Sequence, residues 1–404
     1  MTTQPRPASL VEQLKGATQL ALEATRGVTD LVEAMHHTIG GGPEILGKPF
    51  EAVTRLLSAP TYGAIRGVTG VVEAGLDLAL SALAPMLEQA GAERGAVLAA
   101  LNGVLGDYLA ETGNPLATPM RLCGPGGALE LDPAALAAAF AEGRRLLVLV
   151  HGSSADEGSW QRAGHDHGAA LAKDRGLVPI SLRYNSGLHV SQNGRAFAGL
   201  LEQLVAAWPR PVDEVVILAH SMGGLVARSA CVTAEAEGHR WRKKLSCLVT
   251  LGTPHHGAPL ERGGNLIEVL LGKSRYSAPL ARLGQLRSAG ITDLRYGNVL
   301  DADWQGRDRF APGGDPRTPV KLPAGVACFA VAGSLAPAPV AQLPGDGMVP
   351  VDSALGRHSD PALALDYAEA HQFVALGTSH LDLLGSQQVY QKLLEWVPGE
   401  RPAP

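Results

Sequence analysis

The sequence predicts an α/β fold, a doubly wound, mostly parallel sheet over residues 118–398, preceded by an α-helical region over 1–117. Three observations predict it. From residue 145 onward, apolar β-branched runs that break at glycine alternate with helix-forming segments. One run, Val215-Val216-Ile217-Leu218-Ala219, turns at His220-Ser221-Met222-Gly223-Gly224 straight into the helix-forming Leu225-Val226-Ala227-Arg228. The residues before Gly113 carry helical periodicity and no such runs.

The helical region comes first in the chain. Leu10, Leu14, Ala17, Ala21, Ala24, Val28, Leu31 and Met35 recur in alternating steps of four and three and stop at Gly40-Gly41-Gly42-Pro43, a heptad seam. A second pattern runs through Ile65, Val68, Val72, Leu76, Leu80, Leu83 and Leu87. A third, Val97, Leu98, Leu101, Leu105, Tyr108 and Leu109, lies between Gly91 and Gly113-Asn114-Pro115. Two readings are open: a layer packed on the α/β part or on itself, and a contact surface for lipid or polymer. The small seam residues favour close packing between helices.

Charge supports that preference. Residues 1–120 hold 7 Lys/Arg against 12 Asp/Glu, so the whole net charge of −5 sits there. No nucleic-acid partner is expected, and an anionic membrane is disfavoured. Cys123, Cys231, Cys247 and Cys328 have no metal-type spacing. Cys247 and Cys328 lie in apolar runs, as small core residues do, and no disulfide framework is expected. No basic segment leads into an apolar leader, and the longest apolar stretch, Gly67 to Leu87, is interrupted by Glu73 and Asp77. The expectation is a cytoplasmic protein, peripheral to a lipid or polymer surface if the helices bind one.

In the α/β part, residues 119–131 read as a lead-in with turns at Gly124–Gly127. A helix is expected from Pro133 to about Glu142, with Asp132 as its N-cap. Strands are expected at Arg145–Gly152, where the apolar run ends in glycine, Val178–Arg183, Val215–Ala219, Leu248–Gly252, Val326–Ala332 and about Gln372–Leu376, and helices at Phe197–Trp208 and about Leu384–Trp396. The turn at Ser221 has the G-x-S-x-G pattern of a nucleophile elbow, with Ala219 in first position. A strand-to-helix turn this tight strains the serine backbone, and its small neighbours leave it room.

Five stretches in order then resemble an α/β-hydrolase of the bacterial lipase/esterase kind: Val150-His151-Gly152, Ala219-His220-Ser221-Met222-Gly223-Gly224, Gly252-Thr253-Pro254-His255-His256-Gly257, Gly345-Asp346-Gly347-Met348-Val349-Pro350, and Ser379-His380-Leu381-Asp382. The resemblance implies a Ser-Asp-His triad of Ser221, Asp346 and His380. His371, at the start of the last strand, and His358, too soon after the acid, are the rival bases. Asp352 is the rival acid, and Asp382 reads as the start of a helix. The oxyanion donors are expected to be the backbone N–H groups of Met222 and Ser153, with Gly152 allowing the turn. Gly152 and His256 are expected to border the substrate. His255-His256 lacks the carboxylate or cysteine spacing of a metal site, and neither metal nor cofactor is expected.

Residues 258–320 form an insertion whose patterns at Leu266–Leu271 and Leu280–Leu286 suit a small helical cap. The expected activity is hydrolysis of apolar acyl esters, small or lipid-like, through an acyl-enzyme. Thioester hydrolysis, acyl transfer and intracellular polyester depolymerisation use the same constellation and remain open. So does a reading as an interaction or scaffold protein built on the N-terminal helices.

Overall fold

The computed structural model describes residues 92–399, except 112, 141–142, 259–287, 308–314, 316 and 342. The first two N-terminal periodicities and both apolar patterns of the insertion lie outside the described residues. The third periodicity forms helix α1, Ala92–Glu111. Gly113, at φ +64, ends it: its N–H and that of Asn114 donate back to the carbonyls of Ala110 and Leu109. Residues 98–108 and 117–399 belong to one compact unit, and 92–97 with 109–116 to a second.

The first unit is built on a sheet of eight strands: β1 (Arg121–Gly124), β2 (Gly127–Ala128), β3 (Arg145–Val150), β6 (Val178–Arg183), β7 (Glu214–His220), β8 (Leu245–Leu251), β9 (Ala327–Ser334) and β10 (Gln372–Leu376). A separate two-stranded ribbon pairs β4 (Gln161–Arg162) with β5 (His165–Asp166). The strand order is β10-β9-β8-β7-β3-β6-β1-β2. The six strands from β10 to β6 are parallel, and the β1–β2 hairpin closes that edge antiparallel. Residues 119–131, read from sequence as turns, therefore add two strands. They are too short to show an alternation pattern, and pairing places them: Leu122 lies opposite Leu182.

Among the described residues, seven further helices follow α1: α2 (Pro133–Ala139), α3 (His167–Arg175), α4 (Val190–Ala207), α5 (Met222–Glu237), α6 (Ala289–Asp293), α7 (Val351–Ala354) and α8 (Gln387–Trp396). Asp132 caps α2, its carboxylate accepting from the N–H groups of Ala134 and Ala135. The helix stops at Ala139, short of Glu142, because Phe140 turns extended and packs its ring 5.2 Å from that of Trp208. Helix α4 starts at Val190, well before Phe197. Its first turn is polar, and the Gln192 amide accepts from the His189 N–H.

Strand residues alternate between the two faces. Leu147, Leu149, Val216, Leu218, Cys247, Val249, Leu251, Phe329 and Val331 form one buried cluster with Leu171 of α3 and Val389 and Leu393 of α8. Their neighbours, such as Val148, Ile217, Leu248 and Ala330, are equally buried on the other face, where α4 and α5 pack on each other and α5 on β7. The four cysteines are buried free thiols. At the foot of β3, Arg145 ties three segments together. Its Nε meets Glu214 Oε2 at 2.7 Å, and Nη1 and Nη2 donate to the carbonyls of Arg175 and Pro398, each at 2.6 Å. No helix among the described residues is long and apolar enough to cross a membrane.

Candidate active site

The parallel strands all end on one edge of the sheet, where ligand crevices form in open α/β folds. Ser221 leaves β7 with φ 54 and ψ −127, a conformation that costs an L-residue about 1–3 kcal/mol. Its N–H donates to Leu251 O at 2.8 Å, which ties the turn to β8. The neighbouring glycines are required by space. A Cβ on Gly223 would lie 2.4 Å from Val150 O, and one on Gly224 would lie 2.0 Å from Thr253 Oγ1. Met222 opens α5, so its N–H is one of the orphan donors of a first helical turn.

His380 follows β10, and Asp346 follows β9. His380 Nδ1 meets Asp346 Oδ2 at 2.7 Å, and the His380 N–H donates to Asp346 O at 2.9 Å. The other carboxylate oxygen, Oδ1, accepts from the N–H groups of Met348 and Val349 at 2.9 and 2.8 Å. Burial by itself would push this carboxyl up. The charge and hydrogen bond of His380, with the two backbone donors, outweigh it and hold Asp346 below the usual carboxylate range. With Nδ1–H given to Asp346, the other ring nitrogen, Nε2, is buried without a hydrogen-bond partner. Gly252, at φ +58 after β8, packs under this pair: a Cβ there would lie 3.1 Å from both Asp346 Oδ2 and His380 Cε1.

His220 joins the serine to the histidine. Its Nε2–H donates to His380 O at 3.0 Å, and the two rings lie 4.7 Å apart. Desolvation first, and the nearby His380 second, lower its pKa to about 3, so it stays neutral. On the far side of Ser221 lies the end of β3. A Cβ on Gly152 would approach Ser221 Cβ to 2.9 Å, so a residue with a side chain does not fit there. Ser153 is buried with its Oγ unpartnered. His151 is buried and lowered to about 4 by desolvation. It stacks on Tyr184 at 4.3 Å, and the Tyr184 hydroxyl donates to His151 O.

Ser221, Met222, Gly152, Ser153, Asp346 and His380 thus gather at one edge. His256 is held by another set of contacts. Its ring Nδ1 lies 3.2 Å from Arg317 Nη2, its ring 4.8 Å from His358, and its N–H donates to Ser353 Oγ. Its described contacts include none with Ser221, Asp346 or His380. The rival residues are also engaged away from the site. Asp352 pairs with exposed Arg357, Asp382 with Arg162, and His371 Nδ1 donates to Cys328 O. Among the described residues no group of His, Cys, Asp and Glu is arranged to hold a metal ion. His220 is buried, and its bond to His380 O joins residues 160 positions apart in the chain.

Residues 198–313 match the PGAP1-like alpha/beta domain, a hydrolase family, across α4, the Ser221 turn and β8. The chain has the α/β-hydrolase fold. Among solved structures, this hydrolase fold is similar to the mature Bacillus licheniformis lipase BlEst2, at 17% identity over 62% of this chain and 91% of that one, with a TM-score of 0.41. It is also similar to lipase 1 from Pelosinus fermentans (15% identity, 63% and 98% covered, TM-score 0.36) and to the Pyrococcus furiosus esterase Pf2001 (12%, 63% and 80%, 0.36). The chain matches no curated protein.

Proposed function

We propose that the chain is a serine carboxylester hydrolase. The observation that carries this reading is the buried Asp346–His380 pair, whose Nε2 is left without a partner and whose backbone is tied by His220 to the strained Ser221 turn. In this reading, Ser221 Oγ attacks the ester carbonyl carbon while His380 Nε2 takes its proton. Asp346 orients the ring and offsets the imidazolium charge. The carbonyl oxygen, now an oxyanion, accepts from the backbone N–H groups of Met222 and Ser153. The tetrahedral species collapses, the C–O bond to the alcohol breaks, and His380 returns the proton to the leaving oxygen. Water then repeats the sequence on the acyl-enzyme, releasing the acid and restoring Ser221. The apolar patterns within residues 258–320 support an apolar acyl group.

The test is a panel of p-nitrophenyl esters of rising acyl length, with the parent and Ser221→Ala compared. The parent should turn over at least one ester, and Ser221→Ala should lose about 10⁴-fold or more in kcat. A fluorophosphonate should label Ser221 alone. A Ser221→Ala chain that keeps activity within about tenfold of the parent would sink the reading.

A further inference from the structure

The end of β3 is held by more than the sheet. Ser154 sits at φ +56, a conformation that persists in a non-glycine residue only where its surroundings impose it. Two contacts impose it. On one side its N–H donates to Ser186 Oγ at 3.0 Å. On the other lies Gly103 of α1. A Cβ built there would stand 1.9 Å from Ser154 Oγ and 2.9 Å from Ser154 Cα. The hydroxyl could swing aside; the Cα could not without moving the loop.

The same stretch of helix is locked along its length. Gly106 O accepts from Asn185 Nδ2 at 2.7 Å, and a Cβ on Gly187 would lie 2.3 Å from Asn102 O. Ser288 Oγ donates to Gly103 O at 2.7 Å, and the Ala289 N–H to Asp107 Oδ2 at 2.8 Å. Leu98–Tyr108 is therefore seated on Ser154, on Asn185–Gly187 and on Ser288–Ala289 at once.

We propose that the Gly103 turn of α1 is a positioning element that, with Ser186, sets the Ser153 N–H for the oxyanion; this rests on the serine-hydrolase reading above. The chemistry needs such a brace. Ser153 lies at a loop end, and a donor displaced by about 1 Å costs on the order of 10²-fold in rate.

The test uses the full chain. Gly103→Ala should lower kcat on p-nitrophenyl butyrate by about tenfold or more, with KM within about twofold. Butylboronic acid forms a tetrahedral adduct on serine, and its Ki should rise by the same factor. A purely structural role for Gly103 would lower the melting temperature and leave that Ki unmoved. Ser154→Gly removes the hydroxyl and Cβ at a φ that glycine accepts but keeps the Cα 2.9 Å from the new Cβ, so Gly103→Ala/Ser154→Gly should regain only part of the loss, measured against Ser154→Gly alone. Ser186→Ala, which adds no bulk, carries the test if Gly103→Ala does not fold, and should show the same pairing of lowered kcat and raised Ki. Parent kcat and boronate Ki in both Gly103→Ala and Ser186→Ala, with Ser221→Ala inactive, would overturn the brace and leave the hydrolase reading standing. An active Ser221→Ala would remove both.

Discussion

The His220 Nε2–H donates to the backbone carbonyl of His380, 3.0 Å away, so the residue before the proposed nucleophile fixes the backbone of the proposed base. Both groups are buried, and removing the donor strands a carbonyl, at a cost of about 1–3 kcal/mol. His220→Gln keeps an N–H donor and should keep kcat within about fivefold, whereas His220→Leu should lower kcat by about tenfold or more. Steady-state kinetics with thermal melts on both variants checks this. Equal activity in the two would show that the bond is dispensable.

Asp346→Asn should preserve the fold and lower kcat by about 10⁴-fold, because an amide facing Nδ1 favours the tautomer with the proton on Nε2. Asp352→Asn, at an exposed ion pair, should stay near parent activity. The comparison is a kcat measurement on the two purified variants. Damage from Asp352→Asn alone would move the acid to that position.

Substituting Gly152 with Ala should abolish labelling of Ser221 by a fluorophosphonate, since the added Cβ would meet Ser221 Cβ at 2.9 Å and His220 Nδ1 at 3.1 Å. Intact-mass measurement after labelling reads this directly. Full labelling at the parent rate would mean the loop yields freely.

Acid should destabilise the chain in two windows. His151 and His167 are lowered to about 4 and His220 to about 3, all three mainly by desolvation, while in the unfolded chain they keep the ordinary histidine value of about 6.5. Between about pH 6.5 and 4 the unfolded chain therefore binds more protons. Each ring then costs up to about 1.4 kcal/mol of stability per pH unit as pH falls. Asp346 acts lower. Its folded pKa is depressed, so its contribution is present above the unfolded carboxylate value and is lost as pH falls through the folded one. His167 lies away from the site and donates through Nε2 to Leu383 O, a bond that glutamine can replace. Urea melts at pH 7, 6 and 5 should show the pH slope reduced by about one proton in His167→Gln. An unchanged slope would mean that His167 does not titrate on unfolding.

Much of the site was legible in the sequence because sterics writes it there. The small residues around Ser221 are the ones that Val150 O and Thr253 leave room for, and Asp346 and His380 stand after strands whose apolar runs are plain. What was hidden depends on contacts far apart in the chain. The β1–β2 hairpin is too short to carry a pattern and is placed by pairing with β6. The polar first turn of α4 gives no apolar period, so its start was read late. The neighbours of the His256 ring, Arg317 and His358, are distant in sequence and come to it only in the folded chain. Nothing around Gly103 announces that Ser154 lies against it.

Arg145 sets the direction in which the molecule can be tethered. It holds the Pro398 carbonyl at the foot of β3, beside Glu214, while Ser221 follows the far end of the parallel strand β7. Six residues of strand at about 3.3 Å each separate the two levels by roughly 20 Å. A tether joined at Pro398 itself therefore sits at the edge of the sheet opposite the Ser221 turn.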